Sequence, residues 1–297
     1  MSTKGRLLIL PTTTRFRLVT GLVTGLTMGL LLALTGCSHF TGLSSKSAAG
    51  QDKSPRLVIW SWEHDDNLRF VDPKEAAVAF YAGTITLGRE TATLQRRKNF
   101  LRLNENTVSF PVFRIEPAHP TELISDAAFE RAGETIVEYL QQHPSKEIQI
   151  DFDAGKRDRE GYLKFLHTLK SELPPQTSIS ITALGSWCLY DKWLEPAQVN
   201  ETVAMMFSLG KDSKDTLAAL ARTPLDSGAR CAQSVGIALN ERQTNTLLTE
   251  RSSLARASRV YAFSPLGWTK SRYEEILVTT GHPAVNKLEE LEEVKQQ

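Results

Sequence analysis

Two pairs of charged residues invite a chemical reading. Asp151 and Asp153 flank Phe152, and Arg114 and Glu116 flank Ile115. Residues two apart on a β-strand share a face, so each pair points one way if its segment is extended. Carboxylates crowded on one surface push one another's pKa values apart, and one can stay protonated while another stays ionised. Hydrolysis of a glycosidic bond by two acids needs that division. The expected roles are Asp153 as general acid, Asp151 as its electrostatic partner, Glu116 as base or nucleophile, and Arg114 as the group that tunes it. Glu63, at the end of Trp60-Ser61-Trp62-Glu63, is a further catalytic candidate, on a face that the sequence does not define. The alternative is a structural network in which Arg114 neutralises Glu116 and Asp151.

Aromatic residues add to this pattern. Trp60, Trp62, Trp187, Trp193 and Trp268 fall at or just beyond the ends of three β-rich runs. An aromatic face beside a polar cleft can stack on the C–H face of a sugar ring. Trp60, Trp62, Trp187, Trp268 and Asn240 are therefore the candidate substrate contacts, with Trp62 and Trp187 as platforms. The alternative is that the tryptophans only cover a barrel mouth. No metal and no cofactor are expected. Asp-Phe-Asp can hold a divalent cation, but His64, His119, His143, His167 and His282 are scattered and supply no supporting cluster. The sequence has no nucleophile elbow, no phosphate-cradling glycine loop and no CxxC.

The elements that must position these residues are short strands. Eight β-rich runs can be counted, at 57–63, 78–87, 108–116, 147–153, 178–184, 202–209, 234–240 and 260–268. Helical patterns lie between most of them: from Ser125 or Asp126 to Gln142, from Asp158 or Arg159 to Glu172, and over 213–222, 244–257 and 270–279. Strands alternating with helices predict a parallel sheet, and eight such units predict an α/β (β/α)8 barrel, with a doubly wound open sheet as the alternative. The first units are irregular. The segment after the first strand is too short for a full helix, and 84–104 reads as a β-hairpin turning at Gly88 in place of the second helix. Strand alternation sets Ile148, Ile150 and Phe152 against Gln149, Asp151 and Asp153. The aliphatic set should pack on outer helices and the polar set should face a hydrated interior. Cys188 falls just past a strand end and Cys231 just before a strand start, at nominally opposite barrel ends, so a disulfide and two free thiols both remain open.

Residues 1–36 stand outside this pattern. Lys4, Arg6, Arg15 and Arg17 precede an apolar run from Leu18 to Leu34, the order of a secretory signal. The run ends in Leu34-Thr35-Gly36-Cys37, which resembles the lipobox of bacterial lipoproteins. That resemblance implies cleavage before Cys37 and lipid on its thiol; an uncleaved membrane helix is the alternative. Ser38, rather than Asp, after the cysteine implies the outer membrane, facing the periplasm. Residues 37–55 read as a flexible lipidated tether, 56–283 as the barrel domain and 284–297 as a charged helical tail. Without the first 36 residues the formal charge falls from +1 to −3, and no basic patch that would suggest nucleic acid is left.

Several segments together, WSWEHDDNLRFVDP, VAFYAGTITL, FRIE, IQIDFDA, ITALGSWC and CAQSVGIALNE, resemble a bacterial domain-of-unknown-function family of secreted proteins with a glycoside-hydrolase-like barrel. The resemblance spans roughly residues 56–270 and implies the barrel and a place in the cell envelope. A more distant likeness is to chitinase-type family 18 hydrolases, whose fourth strand ends in D-x-x-D-x-D-x-E. Asp151 and Asp153 match the two central aspartates, while Ile148 and Gly155 stand where the first aspartate and the catalytic glutamate would be. The expected function is a membrane-anchored envelope lipoprotein acting on or recognising a polysaccharide. The alternative is a non-catalytic carbohydrate-binding or assembly lipoprotein on a decayed barrel.

Several acyl chains, at ~0.8 kcal/mol per buried methylene, anchor a protein durably. Cys37→Ser is therefore expected to abolish incorporation of radiolabelled palmitate and to move the protein out of the membrane pellet. A labelled, membrane-bound variant would remove the lipid anchor.

Overall fold

The computed structural model describes residues 54–281, except 192, 223–224 and 226–229. The expected signal segment, Cys37, nearly all of the tether, His282 and the charged tail lie outside the described residues.

Among the described residues eleven strands form: β1 (Leu57–Ser61), β2 (Asp66–Asn67), β3 (Ala76–Leu87), β4 (Ala92–Arg96), β5 (Leu101–Arg102), β6 (Ser109–Pro117), β7 (Glu147–Asp151), β8 (Ser178–Leu184), β9 (Glu201–Met205), β10 (Ser234–Ala238) and β11 (Val260–Phe263). Eight of them, β1, β3 and β6–β11, pair in parallel, and β1 pairs with both β3 and β11, so the sheet closes. The helices are α1 (Asp126–Gln142), α2 (Arg159–Glu172), α3 (Gly185–Tyr190), α4 (Ser213–Arg222), α5 (Arg242–Glu250), α6 (Ser253–Arg256) and α7 (Lys270–Thr279). The architecture is the (β/α)8 barrel. Among the described residues no helix is long and apolar enough to cross a membrane, and no group of three or more His, Cys, Asp and Glu residues could hold a metal ion.

The first two units are irregular in the expected way. β4 folds back antiparallel on β3 through the turn at Gly88. Gly83 permits this close return, since a Cβ there would lie 2.4 Å from the carbonyl oxygen of Gln95. β2 and β5 add a two-stranded patch that no sequence pattern announced. Beyond the hairpin the helices are regular. Ser125 caps α1, its hydroxyl accepting from the Ala128 amide at 3.1 Å. The stripe Ala128, Phe129, Ala132, Ile136 and Tyr139 is buried against the sheet.

Two positions differ from expectation, and at a third one of two open alternatives is taken. The helix expected over 244–257 is two pieces, because Ser252 takes a left-handed backbone (φ 57°) that ends one turn and restarts another. A short helix, α3, follows β8 where the sequence suggested only a strand end. The two cysteines join, with their Cα atoms 5.1 Å apart. Barrel stagger brings them together. Val203 pairs with both Thr182 and Ser234, so the start of β10 is level with the upper part of β8.

The barrel interior is fuller than its polar strand faces suggest. Val58, Trp60, Ala77, Ala79, Phe110, Val112, Val203 and Tyr261 form one buried cluster, and two larger clusters lie between strands and helices. Below this plug, at the amino ends of the strands, Arg259 forks onto two carboxylates. Its Nε donates to Glu201 at 2.9 Å, its Nη1 to Glu147 at 3.1 Å, and its Nη2 to both. The Tyr261 hydroxyl donates to Glu201 at 2.7 Å, and Ser234 donates to it as well. Burial alone would raise the Glu201 carboxyl, but Arg259, Ser234 and Tyr261 hold it below the usual range.

Removing the cation strands two buried acids, a loss of about 3–5 kcal/mol for a broken buried pair. Arg259→Leu is expected to lower the denaturation free energy by about that amount in urea titrations. A change under about 1 kcal/mol would mean that the cluster is hydrated and weak.

Candidate functional site

The carboxyl ends of the strands surround a cavity of about 250 Å³. Its position follows from strand alternation. On β7, Ile148 and Ile150, with Phe152 just beyond, join the outer core, while Gln149, Asp151 and Asp153 line the cavity. On β6, Val112 and Arg114 line it, with Glu116 one step further on the same face. On β8, Thr182 and Leu184 do so. β3 contributes no lining residue, and its phase changes along its length. A bulge between Tyr81 and Gly83 shifts its register against β6, sending Ala82, Ile85 and Leu87 to the outer core. The Tyr81 hydroxyl then meets Thr84 Oγ1 at 2.8 Å. Bulges re-aim side chains in this way near functional sites.

The polar groups are organised around Arg114. Its Nε donates to Glu116 at 2.5 Å and its Nη1 to Asp151 at 3.3 Å. Asp151 also accepts from the Thr182 hydroxyl at 2.7 Å. Burial pushes the Asp151 carboxyl up, and the Thr182 and Arg114 contacts work against that rise. Asp153 sits higher, at the rim. Its side chain reaches solvent, yet the protein packed around it raises its carboxyl, with Arg114 opposing the rise and Glu116 adding to it. Solvent at the rim screens these effects. Asp151 receives two donated hydrogen bonds, which oppose the rise that burial causes. Asp153 accepts none from the protein among the described residues.

The floor is aromatic and rigid. The Trp60 Nε1 donates to Gln149 at 2.6 Å, and Gln149 donates to Ser180 at 2.9 Å. The Trp60 ring lies against Gly236, where a Cβ would come within 2.7 Å of it. Trp62, Phe207 and Phe263 line the remaining wall, and Trp62 leans on Tyr81 with ring centroids 5.1 Å apart.

Other candidates from the sequence fall elsewhere. Trp187 is buried outside the barrel, edge-on to Trp193 at 4.9 Å and beneath the Arg159 guanidinium. It lies on α3 rather than on a strand, and a helix turns its ring away from the strand ends. Trp268 is also buried on the outer side, its Nε1 donating to the Trp60 carbonyl at 2.7 Å. It braces the cavity floor from behind. Asn240 is exposed in the turn after β10 and does not line the cavity. Glu63 is exposed and lies beside Tyr81, whose hydroxyl it helps to raise after the larger effect of burial. It stands on the adjoining rim.

Several lining residues went unpicked as site residues. Gln149 and Thr182 were legible as inward-facing by parity, and Phe207 and Phe263 lie in runs expected to be strands. Arg97 gave no signal. From the hairpin it donates to the backbone carbonyls of Ser61, Trp62 and His64, clamping the loop that carries Trp62 and Glu63. A larger groove, about 490 Å³, lies outside the barrel between α1 and α2. It holds no comparable convergence of carboxylates, guanidinium and aromatic rings.

The fold, a closed (β/α)8 barrel, is one that solved chitinase structures share. Solved structures with this fold include a chitinase from Bacteroides thetaiotaomicron, at 11% identity and a TM-score of 0.52 over 79% of this chain and 98% of that one. A protein described as chitinase A from Streptomyces coelicolor is similar at 11% identity and a TM-score of 0.52, over 77% of this chain and 98% of that one. At this identity the likeness is one of fold. No family model matches the sequence, and no curated protein matches it.

The raised Asp153 carboxyl makes a stability prediction. An acid whose pKa is higher in the folded state adds stability that is full below its ordinary value near 3.8 and is lost as pH rises through the raised value. At neutral pH the charge is therefore a burden. Asp153→Asn is expected to melt at the wild-type temperature or roughly 1–3 °C above it at about pH 7, with the gain vanishing near pH 3. A clear fall in melting temperature at neutral pH would contradict this account.

Proposed function

We propose that the cavity is a saccharide site and that the protein recognises one or two units of a polysaccharide in the cell envelope, held there by lipid on Cys37. One observation carries the reading: an aromatic-walled cavity at the carboxyl ends of a barrel, in which Asp151, Asp153 and Arg114 converge. Polar groups that fix sugar hydroxyls and rings that stack on their apolar faces are the two requirements of such recognition. The volume, about 250 Å³, falls just below the roughly 300–1,000 Å³ of drug-sized sites and suits a short stretch of sugar. Both structural neighbours are described as chitinases, which agrees with a sugar ligand.

Cleavage is the finer question. Asp153, its carboxyl raised and with no hydrogen bond from the protein among the described residues, suits a proton donor, with Asp151 as its electrostatic partner. Against this, Gly155 stands where the chitinase-type motif has its catalytic glutamate, and that favours recognition without hydrolysis. In both readings Trp62 is the platform and the Asp151–Arg114 pair orients hydroxyls.

Quenching of tryptophan fluorescence by a panel of neutral, acetylated and amine-bearing β-linked oligosaccharides tests recognition. Trp62→Ala is expected to weaken binding about 10–100-fold, the equivalent of ~1.5–3 kcal/mol for one buried aromatic contact. No quenching by any member would remove the saccharide reading. Release of new reducing ends by wild type and not by Asp153→Asn would assign cleavage; equal release by both would take Asp153 out of the chemistry.

A further inference from the structure

We propose that the preferred ligand is a sugar bearing a free, protonated amine, such as an oligosaccharide of de-N-acetylated hexosamine. This rests on the reading of the cavity as a saccharide site and adds the charge of the sugar. The rim and wall carry three carboxylates, Glu116, Asp151 and Asp153, against one guanidinium, Arg114. Arg114 is already spent on Glu116 and Asp151. The other guanidinium near this rim, Arg97, is turned onto the carbonyls of Ser61, Trp62 and His64 and cannot reach inward. Glu63, beside Tyr81, adds a further negative charge at the adjoining rim.

Asp153 therefore faces the opening with only a share of the Arg114 charge and no hydrogen bond from the protein among the described residues. An ammonium group offers three N–H donors and a positive charge to such an acceptor. The rings of Trp60, Trp62, Phe207 and Phe263 line the same space, and aromatic faces attract a cation as well as stack on a sugar. A neutral or N-acetylated sugar leaves Asp153 with only its share of the Arg114 charge, and a uronic acid adds a like charge to three already present.

Calorimetric titration of the mature protein with a glucosamine trisaccharide, its N-acetylated counterpart and a galacturonate trisaccharide, at about pH 6 where the amine is protonated, tests the proposal. The glucosamine trisaccharide is expected to bind about tenfold more tightly than the acetylated one, and the galacturonate not measurably. Asp153→Asn is expected to narrow the difference below about threefold, while Asp153→Glu keeps it. Circular dichroism melts check that both variants fold. Equal or tighter binding of the acetylated or acidic sugar would overturn the amine preference and leave the saccharide site standing, and so would a preference that survives in Asp153→Asn. Absence of binding by all three would remove the site and the preference together.

Discussion

The site depends on one packing constraint: the outer face of β7 has to be greasy. Ile148, Ile150 and Phe152 are buried beneath α1 and α2 among Phe129, Tyr162, Phe165 and Leu166. Burying such side chains is worth roughly 1.5–3 kcal/mol each, far more than the polar residues between them gain by choosing either side. Alternation then leaves Gln149, Asp151 and Asp153 only the interior. A slip of one residue would expose the aliphatic set and set the carboxylates against the helices. The acids face the cavity because their neighbours must face away.

The interior is layered in consequence. At the amino ends, Arg259 binds Glu147 and Glu201 in an ionic cluster, one guanidinium shared by two carboxylates. Above it, Trp60, Phe110 and Tyr261 fill the barrel with aromatic bulk. The cavity lies above that plug. The two charged layers differ in their bonding: in the lower one the guanidinium holds both carboxylates directly, while in the upper one Asp153 accepts no hydrogen bond from the protein among the described residues. Carboxylates tied to a common cation hold strands together, and one left unbonded at an opening is fitted to meet a ligand.

Support for the mouth comes from outside the ring. Trp268 holds the Trp60 carbonyl, Arg97 holds the backbone of the loop carrying Trp62, and the bulge in β3 brings Tyr81 alongside Trp62. None of these groups needs to touch a sugar to matter. They set the rotamers and loop path of those that would, and a contact displaced by about 1 Å loses much of its worth.

The sequence alone determined whatever follows from local pattern. Period-2 alternation in β7 and β8, helical spacing in α1, α2, α4 and α7, and the Gly88 hairpin are short-range signals, and they were enough to define the barrel. The tertiary structure decided what depends on distant partners. Trp187 and Trp268 looked like sugar contacts because they lie near strand ends in the chain, but a short helix and a packed loop carry their rings to the outside. The joining of Cys188 to Cys231 needed the barrel's stagger, which pairs residues through a third strand. The clamp by Arg97 and the limited depth of the cavity had no local signature either. Side-chain direction along a strand is a property of the backbone next door, whereas the neighbour a side chain finally meets is set by the closure of the whole ring.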